Sequence, residues 1–550
     1  EQNGEFFGLY TYVEQPDKDW VERMGLSQDA ARYKAFEACR KQTLIELESS
    51  YEKVSRLYED HSDLYQFLTD INDLIGQARR DFIFDNVDIA TQINYMAATI
   101  LVHNNDHVGK NYYLYRDTTG TQRWTMFQYD QDLTFGRNFV DGVLNDEIWA
   151  DQDDVGRTNV SPSHPLFGDA THQKWDYTYN HCIDAYLAEP EFREMFFRRL
   201  RTLMDELLVA SEYETRIDAL TPSIDSGSTG DEFEEDRAKW GQYGTSQTLA
   251  TAVGLVETDY LAPRRTHLFS THRVAGEIPE AQSSSPAVVI HEIMYNPTGG
   301  PTHEFVELYN PSVSEAVDLS DWTLEGTGLT LPPGTVILPE GYLILARNDL
   351  AFRSEYGGGL FVPGEYPSNL DNAGTSLVLR DGLGVEVDRV DYAEAYYRDF
   401  FDYTRDRLGP DRIITARPVD NYGANVGGDF VSFAPKDINW AGWVGDQDGD
   451  FTGLIAALNN KYHSSKEGYV AFGSVIGGYL EIDSETNGRT TDLFIRWAQL
   501  GALNPVMENG GGGEHRPWKF EEKATNQVGE TVEIYRRFAK LHHALLPYLM

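Results

Sequence analysis

At 550 residues, with 41% hydrophobic and 13% aromatic side chains, the chain can bury sizeable cores, and its length predicts three or four domains. Its 88 acidic residues against 46 basic ones give a formal net charge of −42, a surface that repels phosphate backbones and excludes sequence-independent nucleic-acid binding. No run of 18 apolar residues occurs, so no membrane-spanning helix is expected. The acidity fits an extracellular or salt-adapted protein. The chain begins at Glu1 inside what reads as an ongoing domain and ends at Met550 on an amphipathic helix, the pattern of a fragment open at both ends.

Residues 1–275 mix short strands with longer helices. Apolar residues at helical spacing predict a helix over Asp85–His103, with acidic residues in its first turn, and another over Glu191–Val209 with Phe192, Met195, Phe196, Leu200 and Leu203 on one face. The Ser/Gly-rich stretch Ser223–Gly230 reads as a loop. Cys39 and Cys182 fall in helical-looking segments without metal-ligand spacing and are expected to be two free buried thiols.

The run Asn105-Asp-His-Val-Gly-Lys-Asn111-Tyr-Tyr-Leu-Tyr … Tyr129-Asp130-Gln-Asp132-Leu-Thr-Phe-Gly136 follows the first of these helices. An Asp and an Asn five apart, an aromatic strand and two further carboxylates form the order of parts that phosphoryl transfer needs. One Asp accepts the proton of the attacking hydroxyl, and an Asn and a second Asp hold Mg²⁺. The alternative is turn chemistry, because Asp and Asn in loops also bond their own backbone. Together with Asn3-Gly-Glu-Phe-Phe-Gly-Leu-Tyr-Thr-Tyr-Val-Glu14, Tyr33-Lys34-Ala-Phe and Tyr51-Glu52-Lys53, this run resembles the CotH kinase family of atypical secreted or spore-coat kinases over roughly residues 1–275. The resemblance implies ATP and Mg²⁺ as cofactors and a protein acceptor with hydroxyl side chains. It makes Asp106 the catalytic base, Asn111, Asp130 and Asp132 the metal ligands, Lys34 the phosphate contact and Glu52 its ion-pair partner. No Gly-x-Gly-x-x-Gly loop is present; Asn3-Gly4 and Phe7-Gly8 stand where a loop could cover phosphates.

A Ser/Pro linker at 276–286 leads into 287–393, where the hydrophobic period changes to two. Val288–Met294, Glu304–Asn310, Tyr342–Ala346 and Ser376–Arg380 read as strands separated by Gly turns, the pattern of an immunoglobulin-like β-sandwich. His291-Glu-Ile-Met-Tyr-Asn-Pro, Glu304-Phe-Val-Glu-Leu-Tyr-Asn-Pro and Leu319-Ser-Asp-Trp-Thr-Leu resemble the lamin-tail domain, which implies an accessory or adhesion module. Glu292, Glu304 and Glu307 are expected to be outward-facing strand residues rather than a metal site.

From 394 to 550 helix and strand alternate. Helices are predicted at Tyr396–Leu408, Thr452–Tyr462, Thr491–Leu500 and Thr531–Leu549, with strands at Arg412–Arg417, Ile438–Trp443, Tyr469–Gly473 and Pro505–Glu508. These make four βα units, a partial (β/α)8 barrel, with Arg417, Asp446, the Gly473–Gly478 loop and Glu508–Trp518 on one rim. Ala416-Arg417, Trp443-Val-Gly-Asp446, Ile476-Gly-Gly-Tyr479, Phe494–Ala502 and His515-Arg-Pro-Trp518 resemble glycoside hydrolase family 31. The resemblance implies an α-linked carbohydrate substrate, Asp446 as acid/base, Arg417 as a sugar contact, and His515 and Trp518 in the sugar pocket. It departs from the family in three ways: Val475 replaces an Asp before Ile-Gly-Gly, the nucleophile motif is absent (Asp388 and Asp391 do not match it), and the first half of the barrel is missing. An acid without a nucleophile cannot complete retaining hydrolysis. The chain enters this pattern near 394 without a linker, which reads either as a fusion or as a misjoined sequence.

Three functions are therefore expected in order: phosphotransfer by a secreted or cell-surface kinase, α-glycoside hydrolysis, and non-catalytic adhesion at a cell surface.

Overall fold

Strings of Tyr, Trp and Phe favour extended backbone, and they build the first sheet from β1 (Ala31–Ala35), β2 (Tyr51–Lys53), β3 (Tyr112–Arg116) and β4 (Trp124–Gln128). The four strands pair antiparallel in the order β2-β1-β3-β4. Asp117 sets the β3–β4 turn by accepting from the Gly120 and Thr121 amides at 3.0 and 2.7 Å. The computed structural model describes residues 5–10, 14–104, 107, 109–140, 143–145, 148, 150, 180–225, 232–241, 247–274, 276–371, 376–417, 419–420, 431–432, 434–439, 441–480, 489–520 and 530–549. Its two units are Glu1–Asn369 with Val378–Asp388, and Leu370–Leu377 with Arg389–Met550.

In the first unit the helix expected over 85–103 runs from Ile89 to Leu101. Its start is set by Asp88, whose carboxylate caps the Thr91 amide at 3.2 Å, so the acidic residue is a cap rather than a first-turn residue. The expected helix over 191–209 is regular from Pro190 to Leu203 and widens to a π-helical segment over Met204–Leu208. Its apolar face is buried as its period requires, but so are Arg198, Arg199 and Arg201. The segment 276–286 explains two of these. Arg198 and Arg201 donate to the Glu280 and Pro279 carbonyls at 2.9 and 2.7 Å, while Arg199 pairs with Asp318 at 3.1 Å. The linker is thus hydrogen-bonded along this helix, and Ile278 within it is buried.

The β-sandwich has one sheet ordered Leu329–Thr330, Thr323–Glu325, Ser376–Arg380, Glu386–Asp391, and a second ordered Gly364–Glu365, Tyr342–Ala346, Phe305–Tyr309, Val289–Met294. Glu304 corrects its expectation: it is 2% exposed, not outward-facing, because it sits at the entry to the central strand Phe305–Tyr309. Glu307 accepts from His291 Nδ1 at 2.7 Å, and Glu292 is exposed. The sandwich is keyed to the preceding sheet and helices by buried charge. Asp349, with a side chain 1% exposed, takes Arg123 at 2.7 Å and Arg353 at 2.8 Å, and Arg353 also reaches Asp85.

Among its described residues the second unit holds three parallel strands in chain order, Ala441–Trp443, Ala471–Val475 and Val506–Glu508. The helices Phe451–Lys466, Thr491–Gly501 and Glu530–Leu549 follow them in turn. The strand expected at 412–417 is reduced to a single parallel bridge, Ala416 to Gly442, and the first helix begins earlier than expected, at Tyr392. Phe494 stacks between Phe520 and Tyr535, at centroid distances of 4.3 and 5.7 Å, in the core between helices and sheet. Among the described residues, no helix is long and apolar enough to cross a membrane.

Candidate functional site

Antiparallel pairing of β3 with β4 decides which motif residues meet. Tyr112 faces Gln128, and the Tyr129 amide donates to the Asn111 carbonyl at 3.0 Å, so Asn111 and Asp130 flank the same open end of the hairpin. Both residues have left-handed backbone, φ 62° and 57°, which Asn and Asp tolerate best after glycine. A second clasp closes the loop from the other side. Asn104, two residues before Asp106, donates from its side chain to Gln131, between Asp130 and Asp132, at 2.8 Å. The Phe135 amide then returns to the Val102 carbonyl at 2.7 Å. Asp106 itself lies outside the described residues.

Lys34 reaches this end from β1. It is half-buried, opposite Tyr113 in the register, and its Nζ lies 4.5 Å from the centroid of the Tyr129 ring. Glu52 is its direct cross-strand neighbour on β2, yet no ion pair joins the two among the described residues; Glu52 is exposed and the ammonium turns to the aromatic face instead. Asp130 and Asp132 are exposed, whereas Asn111 is 6% exposed. The donor set of an Asn carbonyl and two carboxylates consists of hard oxygens, the chemistry that Mg²⁺ selects. No group of three or more His, Cys, Asp or Glu that could hold a metal ion gathers among the described residues, the Asp130–Asp132 turn included. On the same sheet face a cavity of about 510 Å³ is lined by Pro16, Asp17, Lys18, Arg32, Arg56 and Tyr113, three cations against one carboxylate in a strongly acidic chain. Phe7–Gly8 packs on the helix Glu232–Trp240: the Trp240 indole donates to the Phe7 carbonyl at 2.8 Å, and a Cβ at Gly8 would lie 2.8 Å from that same nitrogen.

In the second unit the parallel register sets Trp443, Val475 and Glu508 at adjacent strand ends. Asp446 follows the first end and is exposed; Arg417 packs its guanidinium on Gly445, where an added Cβ would meet it at 2.4 Å. Burial, with the Asp446 carboxylate as the second cause, raises the Glu508 carboxyl above the usual range. His515 is buried between the Ile476 and Gly512 carbonyls, 3.1 Å from each, while Trp518 is 56% exposed on the short helix Pro517–Phe520. The turn Gly477–Gly478 needs glycine at both positions, with φ 90° and 80°. Sequence reasoning missed Arg489, which is 2% exposed and donates to the carbonyls of Gly477, Gly478, Gly512 and Glu514 at 2.7–3.0 Å. An arginine just before a helix N-cap ordinarily reads as solvent-facing, so no local signal marked it.

Comparison with known proteins agrees with this division. Residues 1–268 match the family described as CotH kinase protein, 281–394 the Lamin Tail Domain, and 433–550 the glycosyl hydrolases family 31 TIM-barrel domain. A 1,6-alpha-glucosyltransferase of Sporosarcina globispora is 30% identical over 114 residues, which is 20% of this chain and 8% of that protein. A sulfoquinovosidase of Agrobacterium fabrum is 31% identical over 110 residues, 20% of this chain and 16% of the relative. The chain therefore spans less than a fifth of the length of either curated relative. A solved cycloalternan-degrading enzyme from Trueperella pyogenes aligns at 19% identity with a TM-score of 0.23, over 31% of this chain and 23% of the other. Along the chain, then, stand in succession segments that match the CotH kinase family, the lamin tail domain and glycosyl hydrolase family 31.

Proposed function

We propose that residues 1–268 transfer phosphate from ATP to a hydroxyl side chain of a protein acceptor, at a cell surface or outside the cell. The observation that supports this reading is the double clasp, Asn104 to Gln131 and Tyr129 to Asn111, which holds Asn104 and Asn111 against the Tyr129–Gln131 turn. Mg²⁺ bound there would neutralise charge on the phosphates. Asn111, Asp130 and Asp132 are the residues to hold it, and Lys34 adds a second cation from β1. The cation-lined cavity beside Tyr113 gives the nucleotide a neighbouring place to dock. Asp106 accepts the proton of the acceptor hydroxyl as its oxygen bonds to the γ-phosphorus and the bond to the ADP oxygen breaks.

The test is a melting scan of the full chain with and without ATP and Mg²⁺. Ligand at a hundred times its dissociation constant adds about 2.7 kcal/mol. A shift abolished by Asp130→Ala supports the assignment; no shift, or one unchanged in that variant, returns these carboxylates to turn chemistry and favours a non-catalytic surface module.

A second reading is supported by three features near the strand ends of the second unit: Arg417 against Gly445, Asp446 acting on Glu508, and His515 held at the Ile476 carbonyl. It is action on an α-linked sugar with Asp446 as acid/base, in a (β/α)8 barrel of which this chain supplies a part. Release of aryl alcohol from an aryl α-glycoside, lost in Asp446→Asn, supports it; no release at any pH removes it.

A further inference from the structure

The two cysteines of the chain are far apart in sequence and meet in the fold. Both are fully buried. The His181 amide donates to the Ala38 carbonyl at 2.9 Å, which sets the backbone preceding Cys182 against the backbone preceding Cys39. Asn72 bridges the same two segments, donating to the Cys39 carbonyl at 3.1 Å and meeting His181 Nδ1 at 2.6 Å. The Tyr112 hydroxyl touches Cys39 Sγ at 3.4 Å and the Asn180 side chain at 3.3 Å, and Asn180 caps the Cys182 amide at 3.1 Å. Cys39 is the neighbouring group that, after burial, holds the Cys182 thiol above its ordinary range, and both thiols are free and buried.

From this geometry we propose that Cys39 and Cys182 close an intramolecular disulfide when the chain folds in the presence of a small-molecule disulfide. Such a bond would staple the segment after β1 to the helix His181–Leu187. It would close a loop of about 140 residues, long enough for a large loss of freedom in the unfolded chain. The loop contains Asn111, Asp130 and Asp132. One thiolate attacks the donor disulfide and releases one thiol; the second thiolate then displaces the other half as a thiol. The protein loses two electrons and two protons, and the donor gains them. Burial holds the Cys182 thiol well above its ordinary pKa in the folded chain, so exchange belongs to folding and the closed bond then resists reductant.

The test compares the full chain produced with export to an oxidising compartment and in a reducing cytoplasm, each alkylated in denaturant. The expected result for the exported chain is a mass two hydrogens lighter, no alkylation, and a Cys39–Cys182 linked peptide. Its melting midpoint should stand on the order of 5–10 °C above the reduced form, a difference absent from the Cys39→Ser, Cys182→Ser double variant. Two alkylated cysteines in the exported chain, or a linkage to a second chain or to glutathione, overturns the proposal. Because the mass readout uses the unsubstituted protein, it decides the matter even where the variant does not fold.

Discussion

Replacing Asp349 by alanine tests whether the β-sandwich is structurally part of the kinase-like domain. Asp349 is 1% exposed in its side chain and holds Arg123, from the entry to β4, and Arg353, from its own helix. Removing it leaves two buried guanidiniums short of a counter-charge. Breaking a buried pair in this way costs about 3–5 kcal/mol. Arg353 keeps Asp85, and Arg123 keeps the Val362 carbonyl, so the lower end, about 3 kcal/mol, is expected. With about 2 cal/mol/K of unfolding entropy per residue over a unit of about 380 residues, that is a fall in midpoint of about 4 °C. Urea denaturation of the full chain should show the loss as a lower midpoint at unchanged slope. Because β4 leads to Asp130, ATP-dependent stabilisation should weaken with it. Replacing both partners, Arg123→Met with Asp349→Leu, should recover much of the stability, since apolar side chains need no counter-charge. A loss below about 1 kcal/mol in Asp349→Ala would refute the reasoning and leave the sandwich an independent accessory.

Three other outcomes are expected. Gly334→Ala should cost at least about 2 kcal/mol, because φ is +92° and the new Cβ would lie 2.0 Å from the Ala90 carbonyl; an unchanged melting midpoint would contradict that packing. Lys34→Met should leave folding intact, since the ammonium has no ion-pair partner among the described residues, but should weaken ATP binding about tenfold or more by calorimetry; equal affinity would remove Lys34 from the site. Burial lowers Lys461 to about 7, and its Nζ has no hydrogen-bond partner among the described residues. Below pH 7 the folded chain carries a buried charge that the unfolded chain solvates, and between 7 and 10.5 the unfolded chain binds more protons, so stability contributed here rises with pH across that window by up to about 5 kcal/mol. Lys461→Met should be the more stable chain at pH 6 and lose that advantage by pH 10; parallel pH profiles would show that Lys461 reaches water.

The sequence alone carried the order of parts. Period-two runs, helical spacing and the three motif sets are local properties of the chain, and they specified the family segments that the comparisons then matched. It also carried the apolar face of Pro190–Leu203 and the parallel strands before their helices. What it could not carry were contacts between residues remote in the chain. Asp88 could be read as a first-turn acid or as a cap, and only the bridge of Val87 to Trp124 ends the preceding helix there. Glu52 and Lys34 stand opposite in register, yet the ammonium's position was decided by Tyr129, a residue three strands away along the sheet from β2. Nothing in the sequence marks Arg123, Arg199 and Arg489 as buried, because a guanidinium is buried only when the fold brings it a carboxylate or a row of carbonyls. The two cysteines are free and buried as expected, but spacing could not show that the backbone pairing of Ala38 with His181 sets the segments carrying them side by side.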